Sequence, residues 1–189
     1  MELMQTRALR GPNLWSRYTA LEMELQCTPE ECEIERLPAF VDRLRALCPG
    51  VTDPRAPGYH GPLTMAHVLE ATLLALQVKS GCPLLFSLTN ATPVTNLYRV
   101  VVEYSEEEVG RLALKYALQV SQHVFDLCSG KLAADAVAPD VAKMLDELRE
   151  LDEDIRLGPS TGSIVNAAVA RGIPFRRLTS GSLVQLGWG

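Results

Sequence analysis

Five thiols, three histidines and three acidic runs are the groups in this 189-residue sequence that could do chemistry. The thiols are Cys27, Cys32, Cys48, Cys82 and Cys128. Their number is odd and their spacings match neither a zinc ribbon nor a redox pair, which points to free thiols in a reducing compartment. The acidic runs fall at Glu30, Glu31, Glu33 and Glu35, at Glu106, Glu107 and Glu108, and between Asp146 and Asp154. Clustered carboxylates pair well with guanidinium forks. Each run also has a plain structural reading: Glu106 to Glu108 suits the first turn of a helix, where the dipole favours negative charge, and Asp152 to Asp154 suits a solvated helix end. A GxxxxGK[ST] phosphate loop is absent from the sequence.

The elements that must position these groups are legible in the hydrophobic pattern. Residues 1–10 read as a strand broken by Gly11-Pro12. Residues 19–27 alternate, with Leu21, Met23 and Leu25 on one side and Glu22, Glu24 and Gln26 on the other. That is a half-buried strand with one solvated face, able to pair with the first. After the charged stretch Glu30 to Glu35, residues 38–48 read as a short helix with Phe40, Val41, Leu44 and Leu47 on one stripe. Residues 49–62 are rich in Pro and Gly and read as a loop. Residues 63–80 are apolar nearly all round, a core helix stopped by Gly81. Residues 83–88 and 96–104 read as strands flanking the turn residues TNATPVTN.

Ser105 is placed to cap a helix that runs to Cys128, with Leu112, Tyr116, Val120 and Val124 on its buried side. A further helix spans 140–151 and ends in Asp152, Glu153 and Asp154. Residues 157–189 hold a small-residue helix capped at Ser160 or Thr161, a stop at Gly172-Ile173-Pro174, and two short strands in FRRLTS and LVQLGWG. The order lacks strict β-α-β alternation. It predicts an α+β fold, a small and mostly antiparallel sheet packed with several helices.

The net charge of −5 keeps phosphate-rich partners away, so nucleic acid is excluded and a cationic partner fits better. The longest apolar stretch, near 65–78, is interrupted by His67, Glu70 and Gln77, too short and too polar to span a membrane. The start, MELMQTRALRGPNLW, lacks the apolar run of a secretory signal. A cytoplasmic location is expected.

Four segments, taken in order, carry a resemblance. They are Arg10-Gly11-Pro12-Asn13-Leu14-Trp15, VVVEYSEEEVG at 100–110, LGPSTGSIVNAAVARGIP at 157–174 and SLVQLGWG at 182–189. Together they resemble the N-terminal region of cyanophycin synthetases over essentially the whole chain, in a form nearer the proteobacterial members. The resemblance implies an enzyme that builds a poly-aspartate backbone with arginine on each side chain. An ATP-grasp module adds Asp, a Mur-ligase-like module adds Arg, and each step passes through an acyl phosphate made from ATP. ATP and magnesium are then expected for the full-length enzyme and no cofactor for this segment. Residues 1–156 would form the N-terminal domain, and 157–189 a connecting helix and first strands leading into a truncated ATP-grasp module. The implied partners are the cyanophycin polymer, the two downstream modules and further copies of the full-length chain in a homo-oligomer.

Some members of this family carry HxxEH on a helix of this domain, a pattern similar to that of inverted zinc peptidases. Two histidines one turn apart grip zinc from one helix face, and a carboxylate activates the bound water. Here the helix reads His67-Val68-Leu69-Glu70-Ala71. His67 and Glu70 match, but a methyl group stands where the second imidazole would be, and a catalytic zinc wants three protein ligands. The GRTR-like stretch that follows in the family is replaced by Phe86-Ser87-Leu88-Thr89-Asn90-Ala91. Nothing in the spacing of His60 or His123 lets either substitute. No catalytic residue and no metal site are expected, and His67 and Glu70 should bond to each other or to nearby backbone. The expected role is to hold the growing polymer near the ligase sites. Its guanidinium groups would meet Glu30, Glu31, Glu106, Glu107 and Glu108, and its carboxylate end Arg7, Arg10 or Arg17. The alternatives are a structural domain that packs on the ATP-grasp module through the apolar tail Leu183 to Trp188, and a primer-generating peptidase, which Ala71 disfavours.

Overall fold

The computed structural model describes residues 1–51, 61–179 and 181–187. Most of the 49–62 loop, with His60, lies outside them, as does Trp188. Strands β1 (Glu2–Leu9), β2 (Ala20–Gln26), β3 (Ser87–Ala91) and β4 (Leu97–Glu103) form one antiparallel sheet in the order β1-β2-β4-β3. Its register sets Leu21 opposite Val102 and Met23 opposite Val100. Residues directly opposite share a face. Leu21, Met23, Leu25, Val100 and Val102 therefore make one apolar surface, and all are buried.

Helices cover that surface. Helix α2 (Met65–Ser80) lies against β4 and β3, and α3 (Glu107–Cys128) against α2 and β2. Helix α1 (Phe40–Leu47) packs Phe40 and Leu44 on α3, and α4 (Val141–Ile155) closes the far side through Leu148. A tail unit follows: α5 (Pro159–Ala170), then a two-stranded hairpin of β5 (Phe175–Arg177) and β6 (Val184–Leu186). The α+β class and the small antiparallel sheet agree with the sequence reading. No helix among the described residues is long and apolar enough to cross a membrane.

The departures from the sequence reading have local causes. The strand expected at 83–88 begins at Ser87, because the Glu103 carboxylate takes the amides of Leu85 and Phe86 at 3.1 and 3.0 Å. It then runs through Thr89–Ala91, which composition alone had placed in the turn. Ser105 does not cap α3: the cap position is Glu106, without a side-chain bond, and the Ser105 hydroxyl lies 3.2 Å from Cys82 Sγ. Neither Ser160 nor Thr161 caps α5, which starts at Pro159 behind Gly158. Proline is pre-shaped for a first helical position and needs no donor there. The acidic residues 152–154 belong to α4 itself, and Glu30 to Arg36 forms two 3-10 turns. Finally, the second face of β2 is not solvated throughout: Glu22 is only 5% exposed.

Gly110 explains how closely α3 approaches the sheet. A Cβ there would stand 2.8 Å from Tyr104 Cβ and 3.4 Å from Leu21 Cδ1. Helix propensity alone makes Gly→Ala favourable by about 1 kcal/mol in a helix interior. Overpacking a tight core position costs about 1–3 kcal/mol. Gly110→Ala should therefore lower stability in urea denaturation, and a more stable variant would show that α3 can move off Tyr104.

Candidate functional site

His67 sits on the core face of α2, 4% exposed, with Nδ1 2.9 Å from Thr64 Oγ1 and its ring edge-on to Tyr98 at 6.3 Å. Burial pushes its imidazole down to about 4. One turn on, Glu70 faces β3. Burial raises its carboxyl above the usual range, and the hydroxyls of Thr89 and Ser87 partly offset this. His67 thus meets a hydroxyl, and the Thr89 hydroxyl lies near Glu70 without a hydrogen-bond partner of its own among the described residues. His123 lies on α3 beside Met1 and Leu3, in a separate groove. Among the described residues no three of His, Cys, Asp and Glu stand close enough to hold a metal ion.

The His67 ring gives a pH dependence of definite sign. The unfolded chain takes up its proton near 6.5 and the folded chain near 4. Stability is therefore lost as pH falls from about 6.5 towards 4, by about 3 kcal/mol in all. Glu70 acts oppositely: its raised pKa adds stability at low pH that disappears as pH rises. His67→Gln should remove the acid-side loss in urea titrations between about pH 7.5 and 4. A profile unchanged by the substitution would place His67 in contact with water.

The charged residues singled out in the sequence scatter. Glu31 points inward, 3% exposed, taking the Met1 amino group and the Thr28 amide. Glu30 is exposed and lies 3.6 Å from Lys131 Nζ. Arg7 is spent on Glu22 across the outer sheet face. Arg10, Glu106 and Glu107 do come together at the start of α3, and Glu108 is exposed beside them. Arg10 Nε lies 2.6 Å from Glu107 Oε2, and Arg111 Nη2 2.9 Å from Oε1. The Arg10 hydrogen bond leads in holding the Glu107 carboxyl below its ordinary value. Glu106 is half-sunk against Arg177 Nη1 at 3.0 Å.

The RGPNLW segment builds a loop over the outer sheet face. Asn13 Oδ1 accepts from the amides of Trp15 and Ser16, and its Nδ2 donates to the carbonyls of Gly11 and Tyr18, each at 2.9 Å. The indole so placed donates to Glu22 Oε1 at 3.2 Å, with Arg99 5.9 Å from its centroid. Arg99 also lies 3.4 Å from Glu22 and 2.8 Å from Glu24. The sequence reading did not bring Glu22, Arg99 and Trp15 together. The available signal was a carboxylate and a guanidinium at outward positions of strands that prove to be neighbours.

Beyond this loop lies a cleft of about 900 Å³ between the sheet and the tail unit. One wall comes from Gly11, Arg17 and Tyr18, another from Glu103 and Glu106, and the third from α5 and β5. Arg177 fixes that third wall, donating to the Ile155 carbonyl at 2.6 Å as well as to Glu106. Three of the four segments that carry the resemblance, at 10–15, 100–110 and 157–174, thus meet around one space.

Comparison with known proteins agrees. The chain is 33% identical over 201 residues to a cyanophycin synthetase of Trichormus variabilis (strain ATCC 29413 / PCC 7937) and 30% identical over 202 residues to one of Crocosphaera subtropica (strain ATCC 51142 / BH68). A cyanophycin synthetase of Geminocystis herdmanii (strain PCC 6308) is 33% identical over 201 residues. In each case all of this chain is covered and 22% of the relative, so the chain spans about a fifth of the length of the curated relatives it matches. Residues 20–126 match the family described as the cyanophycin synthase-like N-terminal domain, and the chain belongs to that family.

Proposed function

We propose that this chain is the non-catalytic N-terminal domain of a cyanophycin synthetase and holds the growing polymer near the ligase sites. The observation that carries the reading is the meeting of three family-like segments around one cleft with charges of both signs on its walls. Tethering a polymer beside two ligase sites raises its effective concentration at both. Guanidinium groups on every polymer unit suit carboxylates such as Glu103 on the cleft wall and the exposed Glu108 at the start of α3. On this reading residues 157–189 lead into an ATP-grasp module. ATP and magnesium then serve that module and a Mur-ligase-like one, in a cytoplasmic homo-oligomer. The replacement of the second histidine by Ala71 sets the peptidase reading aside.

The alternative role, packing on the downstream modules, has its own support. Ile164, Leu178, Leu183 and Leu186 in the tail are 59%, 49%, 58% and 43% exposed. Exposed apolar side chains of this kind suit a surface that packs on a neighbouring module.

Co-sedimentation with insoluble cyanophycin separates the readings. The domain should pellet at low salt and be released at high salt, because paired surface charges are screened. Recovery in the supernatant at every salt concentration would leave the packing role in its place. Soluble fragments in a parallel zinc-supplemented sample would reinstate the peptidase.

A further inference from the structure

Two charges on the cleft wall lack a counter-charge. Arg17 is exposed and has no ion-pair partner among the described residues. Glu103 is 8% exposed and stands at the end of β4. Its Oε2 takes the Leu85 and Phe86 amides, which fix the carboxylate in place, yet no cation among the described residues pairs with it. Glu106, the third charge, is already bound by Arg177. Between these poles the lining is largely apolar, from Leu84, Tyr104, Val165, Val169 and Phe175. Glu103 is thus buried and hydrogen-bonded but has no counter-charge among the described residues, and a buried charge is best stabilised when it has both. A simple anion would satisfy Arg17 and leave Glu103 bare, and a simple cation would do the reverse.

We propose that this cleft binds one arginyl unit, its guanidinium toward Glu103, its aliphatic stem along the apolar wall and its carboxylate on Arg17. The proposal rests on the polymer-holding reading for the source of the ligand. Arginine joined through its α-amino group to an aspartate side chain keeps both its guanidinium and its own carboxylate, so every polymer unit offers the complementary pair.

The test is a titration of the chain followed by amide NMR. The probes are Nα-acetyl-L-arginine as the polymer-like unit, free L-arginine, agmatine without the carboxylate, and Nα-acetyl-L-citrulline without the charge. Nα-acetyl-L-arginine should shift the amides of Thr19, Leu85 and Tyr104. Agmatine and the citrulline derivative should bind about ten-fold more weakly or worse, as should Nα-acetyl-L-arginine to Arg17→Ala or Glu103→Gln. The glutamine keeps an acceptor for the two amides, so the fold is retained. A response to free L-arginine alone would keep the site and make its ligand the free amino acid. Agmatine binding as well as Nα-acetyl-L-arginine, or no shift at the cleft with any probe, would overturn the proposal. Co-sedimentation separates the two readings. Undiminished pelleting of Arg17→Ala and Glu103→Gln would move polymer holding to another surface. Failure of the unsubstituted chain to pellet, with its NMR response intact, would end polymer holding and leave the site.

Discussion

Helix α2 is buried over most of its surface, with Val78 and Lys79 exposed near its end, and the rest of the fold follows from enclosing it. Met65, Leu69, Leu73 and Leu76 are each 0% exposed, with Ala66 and Val68 buried between them. A helix apolar nearly all round must be wrapped on nearly every side. The sheet supplies one side, and α3 and α4 the others. Its polar exceptions are individually placed. His67 meets Thr64, Thr72 Oγ1 lies 3.5 Å from Ser121 Oγ, and Gln77 Nε2 donates to the Glu103 carbonyl at 3.0 Å. That last bond ties the core helix to the strand end where the cleft begins, so the cleft's anionic wall is anchored to the buried core.

Among the described residues no helical layer covers the other sheet face. Its cover is the Asn13-stapled loop and a group of charges around Glu22, where one carboxylate gathers Arg7, Arg99 and the Trp15 indole. The arginine side chains remain 57% and 34% exposed, so their Coulomb contribution is modest. On this face Val101, which lies between Glu22 and Leu88, is 1% exposed. The RGPNLW segment is thereby explained in physical terms: asparagine shapes the turn, and tryptophan both covers and hydrogen-bonds.

Much of the fold was legible because its strongest signals are local. Alternation in 19–27 fixed β2, continuous apolarity fixed α2, and Gly81, at φ +110°, ended that helix as read. The site was less legible, because it depends on long-range meetings. Glu22 reads as an outward, solvated residue until β1 and β4 bring Arg7 and Arg99 beside it. Glu31 reads as one more surface acid in a charged run, and only the folded 3-10 turn shows it buried. Glu103 sits unremarked in a β-branched strand, and its amide partners are 17 and 18 residues away. Arg10, Glu106 and Glu107 were singled out for charge alone, and the structure gives them partners that charge alone does not specify.

The cleft and the docking of the tail are one structural question. Helix α4 ends in Asp152, Glu153 and Asp154, carboxylates placed where the helix dipole disfavours them. Asp152 also bears on Glu106 across the gap and raises its carboxyl further, beyond what burial does. Into this excess of negative charge the tail sends one guanidinium, Arg177, which takes Glu106, the Ile155 carbonyl and, through Nε, the Gly181 carbonyl at 2.9 Å. Glu106 is thereby neutralised within the protein. Arg17 and Glu103 are left as the charges on the wall that have no ionic partner among the described residues. Docking of the tail thus does two things at once: it supplies the third wall, and it selects which charges remain for a ligand.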